Sequence, residues 1–425
     1  MKHSTDRILT THVGSIPRPP DLVDMLRSKH MGGVPTDERA LATRVRAAVA
    51  DVVARQARAG IDIVTDGEMG KVGFIPYINE RLGGFTASTW GANESYWGKS
   101  REAKAFPGFY AWAAQQQGTA GNVGLTRWAA TGPISYIGHA ALKTDIDNLK
   151  AALKGLKVEE AFLPSISPGN VTDWNRNDHY KTDEEYLFAV ADALNEEYRA
   201  IVDAGLLLQV DDPNLVTYYV LHPELSVKQV RDYARTRVEA INRALKGIPR
   251  DKVRYHTCYA INMGPRVHDM ELKDIIDVMV QVKAGAYSFE AGNPRHEHEW
   301  RDWMKVKLEP GTILIPGVIS NSTNLVEHPR LIADRLTNFA NIVGRENVIA
   351  GADCGFASFA TSLEIHSEVV WAKFAALAEG AKIVSKELWA KPKIAPKGTG
   401  RRKLKARARK AVAKKRLRRT RRPRR

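Results

Sequence analysis

Residues 206–213 read Leu-Leu-Leu-Gln-Val-Asp-Asp-Pro, an apolar run that turns acidic and stops at a proline. A helix-like amphipathic stretch, 183–204, leads into it. Another, 226–245, follows it and delivers a second such run at 253–259. Strands alternating with helices argue for a parallel sheet, closed or doubly wound by βα units. The alternation holds along the rest of the chain. Runs at 9–15, 61–68, 123–132, 161–165, 286–290, 312–319 and 348–354 are further strand candidates, and 38–59, 272–283 and 327–343 carry helical periodicity. A (β/α)8 TIM barrel needs eight strands, one fewer than the candidates. Residues 161–165 are the expected supernumerary, because they are few and enter the Pro/Gly segment 164–169. The fold predicted is α/β, a single TIM barrel over residues 1–390. No G-x-G-x-x-G follows the first strand, which weakens a dinucleotide-binding reading.

Composition agrees with a globular chain: 425 residues, 44% hydrophobic and 26% charged, are neither disordered nor fibrous in character. No stretch approaches the ~18–20 uninterrupted apolar residues of a membrane span. The N-terminus lacks the apolar segment of a signal peptide, and two cysteines exclude a disulfide scaffold. The expected location is cytoplasmic. The formal charge of +16 misleads if taken whole, because residues 391–425 hold 19 Lys/Arg and no acid. Without them, 45 basic residues face 48 acidic ones, a balance of −3. The tail is predicted to be disordered. It is either a solvated appendage or a nonspecific binder of polyanions, nucleic acid or anionic lipid. A nucleic-acid-binding protein is the reading from a different class, although the tail has no aromatics for base stacking. Eight of the 33 aromatics (Phe85, Trp90, Tyr96, Trp97, Phe106, Phe109, Tyr110, Trp112) crowd into residues 85–112. They mark an insertion, 85–122, that either covers a pocket as a lid or packs on the barrel or a neighbouring subunit.

The chemistry concentrates at predicted strand ends. In Tyr255-His256-Thr257-Cys258, residues two apart share a face, so His256 and Cys258 converge. Cys354 closes another strand, in Gly351-Ala352-Asp353-Cys354-Gly355, and Glu290 ends a third. A parallel barrel gathers its strand C-termini at one mouth. Two thiolates, an imidazole and a carboxylate there suit a tetrahedral Zn2+ ion; small buried cysteines without a metal are the plainer alternative. Such a site carries a formal charge of −1, poor for making hydroxide but suited to an incoming thiol, which coordination deprotonates. A free thiol is only ~3% thiolate at neutral pH, so that activation is a real gain. The implied reaction is S-alkylation. Asp66 and Glu68, and Asp211 and Asp212, end two other strands; they form surface turns or together grip an ammonium group.

These residues resemble the C-terminal catalytic barrel of the cobalamin-independent methionine synthase family. Thr11-His12-Val13-Gly14-Ser15-Ile16-Pro17 is similar to the family's Ile-Gly-Ser-Phe-Pro turn, and Gly60-Ile61-Asp62-Ile63-Val64-Thr65-Asp66-Gly67-Glu68 to its second strand. Thr131-Gly132-Pro133 matches another signature. Gln209-Val210-Asp211-Asp212-Pro213 parallels Gln-Ile-Asp-Glu-Pro, His256-Thr257-Cys258-Tyr259 parallels His-x-Cys-Tyr, and Asp353-Cys354-Gly355 parallels Pro-Asp-Cys-Gly. The likeness runs from about residue 6 to 385. It implies zinc held by His256, Cys258, Glu290 and Cys354, with Ser15 in the turn that contacts homocysteine and Glu68 and Asp211 on its amine. It further implies an S-methyltransferase of methionine biosynthesis. Its partners would be a small-molecule thiol and an alkyl donor of the 5-methyltetrahydropteroyltriglutamate kind.

Three features depart from the family. The N-terminal barrel of the full-length enzymes is not represented in these 425 residues. The loop after Glu290 reads Ala291-Gly292-Asn293-Pro294-Arg295-His296-Glu297-His298 instead of Asn-Ser-Arg. The family's proton-donating histidine falls at Ser322, which leaves His296 and His298 as candidate replacements or as solvated loop residues. The short form is also similar to epoxyalkane:coenzyme M transferase, which opens an epoxide with the same zinc–thiolate chemistry. That thiol carries a sulfonate and no amine, so Glu68 and Asp211 would face an anion.

Overall fold

The computed structural model describes residues 1–31, 37–88, 97–115, 127–259, 264–360 and 365–390. Its strands are β1 (Leu9–Thr10), β2 (Ile63–Val64), β3 (Leu82–Ser88), β4 (Arg127–Tyr136), β5 (Glu160–Ile166), β6 (Arg176–Asn177), β7 (Leu207–Asp211), β8 (Val253–Thr257), β9 (Ala286–Phe289), β10 (Ile313–Ile319) and β11 (Ile349–Ala352). Eight form one sheet in the order β1-β11-β10-β9-β8-β7-β5-β2, and every pairing in it is parallel. Across the remaining gap, Asp62 donates its N–H to Thr10 O at 3.1 Å, and Thr11 Oγ1 donates to Ile63 O at 3.0 Å. The ring therefore closes as the TIM barrel the alternation predicts. Leu9, Ile63, Phe162, Leu207, Ala286, Ile313, Ile315 and Ile349 meet as its packed core.

Long helices return the chain between strands, and their starts carry the polar caps that satisfy free N–H groups. Asp37 caps Glu38–Arg58, Thr182 caps Asp183–Asp203, and Ser226 with Gln229 forms a reciprocal capping box on Val227–Ala244. The expected helix over 272–283 is reduced to a 3-10 turn, Leu272–Asp274, and a short helix, Ile276–Met279. Ile275, Ile276, Val278, Val280 and Val282 crowd that stretch with β-branched side chains, which resist a continuous helix.

The supernumerary strand is not the expected one. Residues 161–165 lie in β5, inside the barrel, and the candidate at 123–132 supplies β4, outside it. β4 pairs antiparallel with β3 and parallel with β6. Burial explains the exchange. β5 is buried at every position from Ala161 to Ile166, as a strand covered on both faces must be, whereas β4 alternates between more and less buried positions after Ala130. Continuity of apolar character, not length, marks a barrel strand. Thr131-Gly132-Pro133 consequently sits in the small sheet and not in a barrel strand.

The insertion also begins earlier than residue 85, since Phe85 is within β3. It is a hairpin of β3 and β4 with the helices Arg101–Ala105 and Pro107–Gln115 between its strands. Glu197 joins the hairpin to the barrel, accepting from Tyr77 (3.1 Å), Ser165 (2.7 Å) and Tyr136 (2.8 Å). Trp112 is exposed, while Trp90 and Tyr96 lie outside the described residues. One compact unit spans Met1–Leu388. The basic tail, 391–425, is outside the described residues. No described helix is long and apolar enough to cross a membrane.

Candidate active site

Strand periodicity builds the site from the core upward. Leu207 belongs to the packed core, so Gln209 and Asp211 face the same way, closer to the mouth; Ala286, Ser288 and Glu290 form the matching column. On β8, Arg254 donates to Thr11 Oγ1 (3.0 Å) and to His12 O (2.8 Å), and His256 and Cys258 stand above it. His256 Nδ1 meets Ser288 Oγ at 3.3 Å.

At the top of these columns, ligand atoms of His256, Cys258 and Cys354 lie within 4.8 Å of one another, and all three residues are buried. The two Sγ atoms are 3.0 Å apart, well beyond the ~2.05 Å of a disulfide. Burial, reinforced by Arg254, lowers the His256 pKa to about 3, so the ring is neutral and has a free lone pair. Its Nε2 has no hydrogen-bond partner among the described residues. The hydrogen bond from Cys258, and then burial, push the Cys354 thiol well above its usual range. An orphaned imidazole nitrogen beside two buried cysteine sulfurs fits a thiophilic metal ion.

Glu290 stands outside this group of three. Its Oε2 accepts the Tyr259 N–H at 2.8 Å, its Oε1 accepts from Asn293 at 2.8 Å, and Arg266 lies 3.6 Å from Oε1. Asp353 connects the neighbouring turns: its Oδ1 accepts the N–H groups of Ala291 (2.9 Å) and Gly292 (2.7 Å), joining the Glu290 loop to the residue before Cys354.

The carboxylates expected to hold an amine are also brought together. Glu68 has φ 57°, the only positive value for a non-glycine among the described residues, and follows Gly67 at φ 67°. Asp66 Oδ1 fixes this unusual turn by accepting the Glu68 N–H at 2.9 Å. A Cβ on Gly14 would come within 3.1 Å of Glu68 Oε1, so glycine keeps the space beside that carboxylate open. Gln209 donates to Asp211 Oδ1 at 2.8 Å and also to Val13 O. Burial, then the negative charge of Glu68, pushes Asp211 well above the usual carboxylate range. Burial also raises Glu68, with Lys71 and Arg18 opposing it. Glu68 Oε2 accepts no hydrogen bond among the described residues; the Arg18 guanidinium is 3.9 Å away. An arriving ammonium group would relieve both acids. Ser15 is buried against the turn after Cys354, where its carbonyl accepts the Phe356 N–H at 3.0 Å.

The loop histidines differ from expectation. His296 is 2% exposed and far from solvated: it lies between Glu299 (3.0 Å) and Asp269 (3.2 Å), stacked 3.6 Å from the Tyr259 ring. His298 is exposed. Ser322 bonds Ser320 Oγ at 2.9 Å. Arg266, Asp353, Lys71 and Gln209 surround the site without having been singled out from sequence. For Gln209 a signal existed, since it lies two residues before Asp211 on one strand.

Residues 8–158 match the family model described as the catalytic domain of cobalamin-independent synthase. A methionine synthase of Thermococcus kodakarensis is 26% identical over 382 residues, covering 89% of this chain and 94% of that protein. The methionine synthase of Pyrococcus horikoshii is 24% identical over 380 residues, covering 89% and 93%. Among solved structures, a B12-independent methionine synthase from Shewanella sp. W3-18-1 superposes with a TM-score of 0.66 at 20% identity, covering 91% of this chain and all of that one. With the barrel and the ordered motifs at its mouth, these matches support the cobalamin-independent methionine synthases as the family this chain is similar to along most of its length.

Proposed function

We propose that the chain is a zinc-dependent S-methyltransferase that places a methyl group on the thiol sulfur of homocysteine. The observation that carries this reading is the convergence of His256, Cys258 and Cys354 within 4.8 Å at the barrel mouth. The methionine synthases of similar length and sequence support it. These three residues, with Glu290 as the fourth donor, would hold zinc, which would favour the thiolate form of the substrate thiol at neutral pH. Glu68 and Asp211 bind the substrate ammonium, and Gly14 leaves room for it beside Glu68. Gln209 orients Asp211 through the 2.8 Å bond. Ser15 braces the turn after Cys354, so the amine subsite and the metal donors share one rigid frame. The basic tail acts apart from this chemistry as a nonspecific polyanion-binding segment. The cytoplasm is the proposed location, where two unpaired buried thiols stay reduced.

Metal-replete protein should convert homocysteine to methionine with methyltetrahydrofolate or a methyl-corrinoid as donor, followed by product mass. Addition of 2-mercaptoethanesulfonate to an epoxide, without methionine formation, would replace this reading by the epoxide-opening one.

A further inference from the structure

The helix Arg101–Ala105 belongs to the insertion, outside the barrel ring, yet its first two residues hold segments at the barrel mouth. Arg101 donates to the carbonyls of Tyr219 (2.9 Å), His222 (3.3 Å) and Leu225 (2.5 Å), all in or just after the helix that follows Asp211. Glu102 is 1% exposed. Its Oε1 accepts the N–H groups of Val267 (2.5 Å) and His268 (2.6 Å), and its Oε2 lies 3.1 Å from His268 Nδ1. A buried carboxylate is costly unless its bonds are made, and these fix residues 266–269 firmly.

Three of those four residues reach on toward Glu290 and its loop. Val267 O accepts from Arg295 at 2.6 Å, and Asp269 Oδ2 meets His296 Nε2 at 3.2 Å. Arg266 donates to Tyr259 O at 3.0 Å and sets its guanidinium 3.6 Å from Glu290 Oε1. An unbroken set of bonds thus runs from the insertion to a carboxylate at the metal side of the mouth.

We propose that Glu102 is a positioning residue: it fixes residues 266–269 from the insertion and, through Arg266, sets where the Glu290 carboxylate sits. This rests on the reading of Glu290 as the fourth zinc donor. Groups that orient a ligating carboxylate typically contribute 10–100-fold in metal affinity. Glu102 acts one step further out, so its effect belongs near the lower end, about tenfold.

Full-length protein loaded with zinc should be challenged with excess chelator while hydrogen exchange is followed across 264–269. Glu102→Ala should raise exchange there and release zinc about tenfold faster than wild type. Glu102→Gln keeps an oxygen for both N–H groups and should stay close to wild type. Glu102→Asp withdraws the carboxylate by one methylene and should behave like the alanine variant, which keeps the test open if alanine does not fold. Faster exchange with an unchanged rate of zinc release would overturn the proposal, leaving the insertion as a docked appendage. Wild-type protein that takes up no zinc would instead remove the functional reading itself.

Discussion

Cys258 and Cys354 offer the most direct single-residue test. Their Sγ atoms meet at 3.0 Å, and neither residue belongs to the cluster of Leu9, Ile63, Phe162 and their neighbours that packs the barrel. Serine at either position should fold yet lose most of the bound zinc, measured as metal equivalents per chain after gel filtration; full retention in the double variant would remove these thiols from the site. Glu68 and Asp211 test the acceptor. Hydrogen bonds to charged groups contribute roughly 1.5–3 kcal/mol, or about 10- to 150-fold in affinity. Homocysteine should therefore be alkylated far better than 2-mercaptoethanesulfonate. Glu68→Gln and Asp211→Asn should each erode that preference in steady-state kinetics while leaving the zinc content unchanged. The sequence could indicate both acids because each closes an apolar run. It could not show that Asp211 is pushed up partly by Glu68, since the two come together only because β2 and β7 flank β5 in the sheet.

At the scale of elements, β10 and β11 lie so close that a Cβ on Gly317 would stand 2.5 Å from the Asp353 backbone nitrogen. Their pairing shifts register between Gly317 and Ile319, which lets Asp353 reach the Glu290 loop. Gly317→Ala sets a methyl against main chain that cannot rotate away. The expected loss is at the upper end of overpacking costs, ~3 kcal/mol, read as a fall in the thermal midpoint together with lost zinc. The loop after β9 carries a second, pH-dependent term. Burial works against charge on His296, but the bonds to Asp269 and Glu299, helped by Glu290, offset it and hold its pKa near 9, above the ordinary 6.5. A raised histidine pKa stabilises the folded state fully below about 6.5, and that contribution is lost as pH rises through about 9. A shift of this size corresponds to about 3 kcal/mol. The urea midpoints of wild type and His296→Gln should differ most near pH 6 and converge by about pH 9.5.

For the whole molecule, charge and catalysis are divided along the chain. Residues 391–425 hold 19 Lys/Arg, and the remainder is close to neutral. Deleting them should leave turnover at saturating substrate unchanged while abolishing retention on heparin or DNA at low salt, since polyanion binding of this kind rests on counterion release. A folded but inactive truncation would tie the tail to the active site.

Local chemistry sufficed for the alternation of strand and helix, for the acidic and thiol-bearing strand ends, and for the separation of the basic tail. These depend on neighbours two to four residues apart, which the sequence lists in order. Membership of the barrel did not follow from the same source. β5 entered it and β4 left it because a parallel strand must be buried on both faces, and which faces are covered depends on helices distant in sequence. The left-handed backbone at Glu68, the turn of Glu290 toward Arg266, and the burial of His296 between two acids were likewise decided by tertiary structure. Each depends on partners brought up by other loops, and a side chain's charge and direction are set by what surrounds it in space.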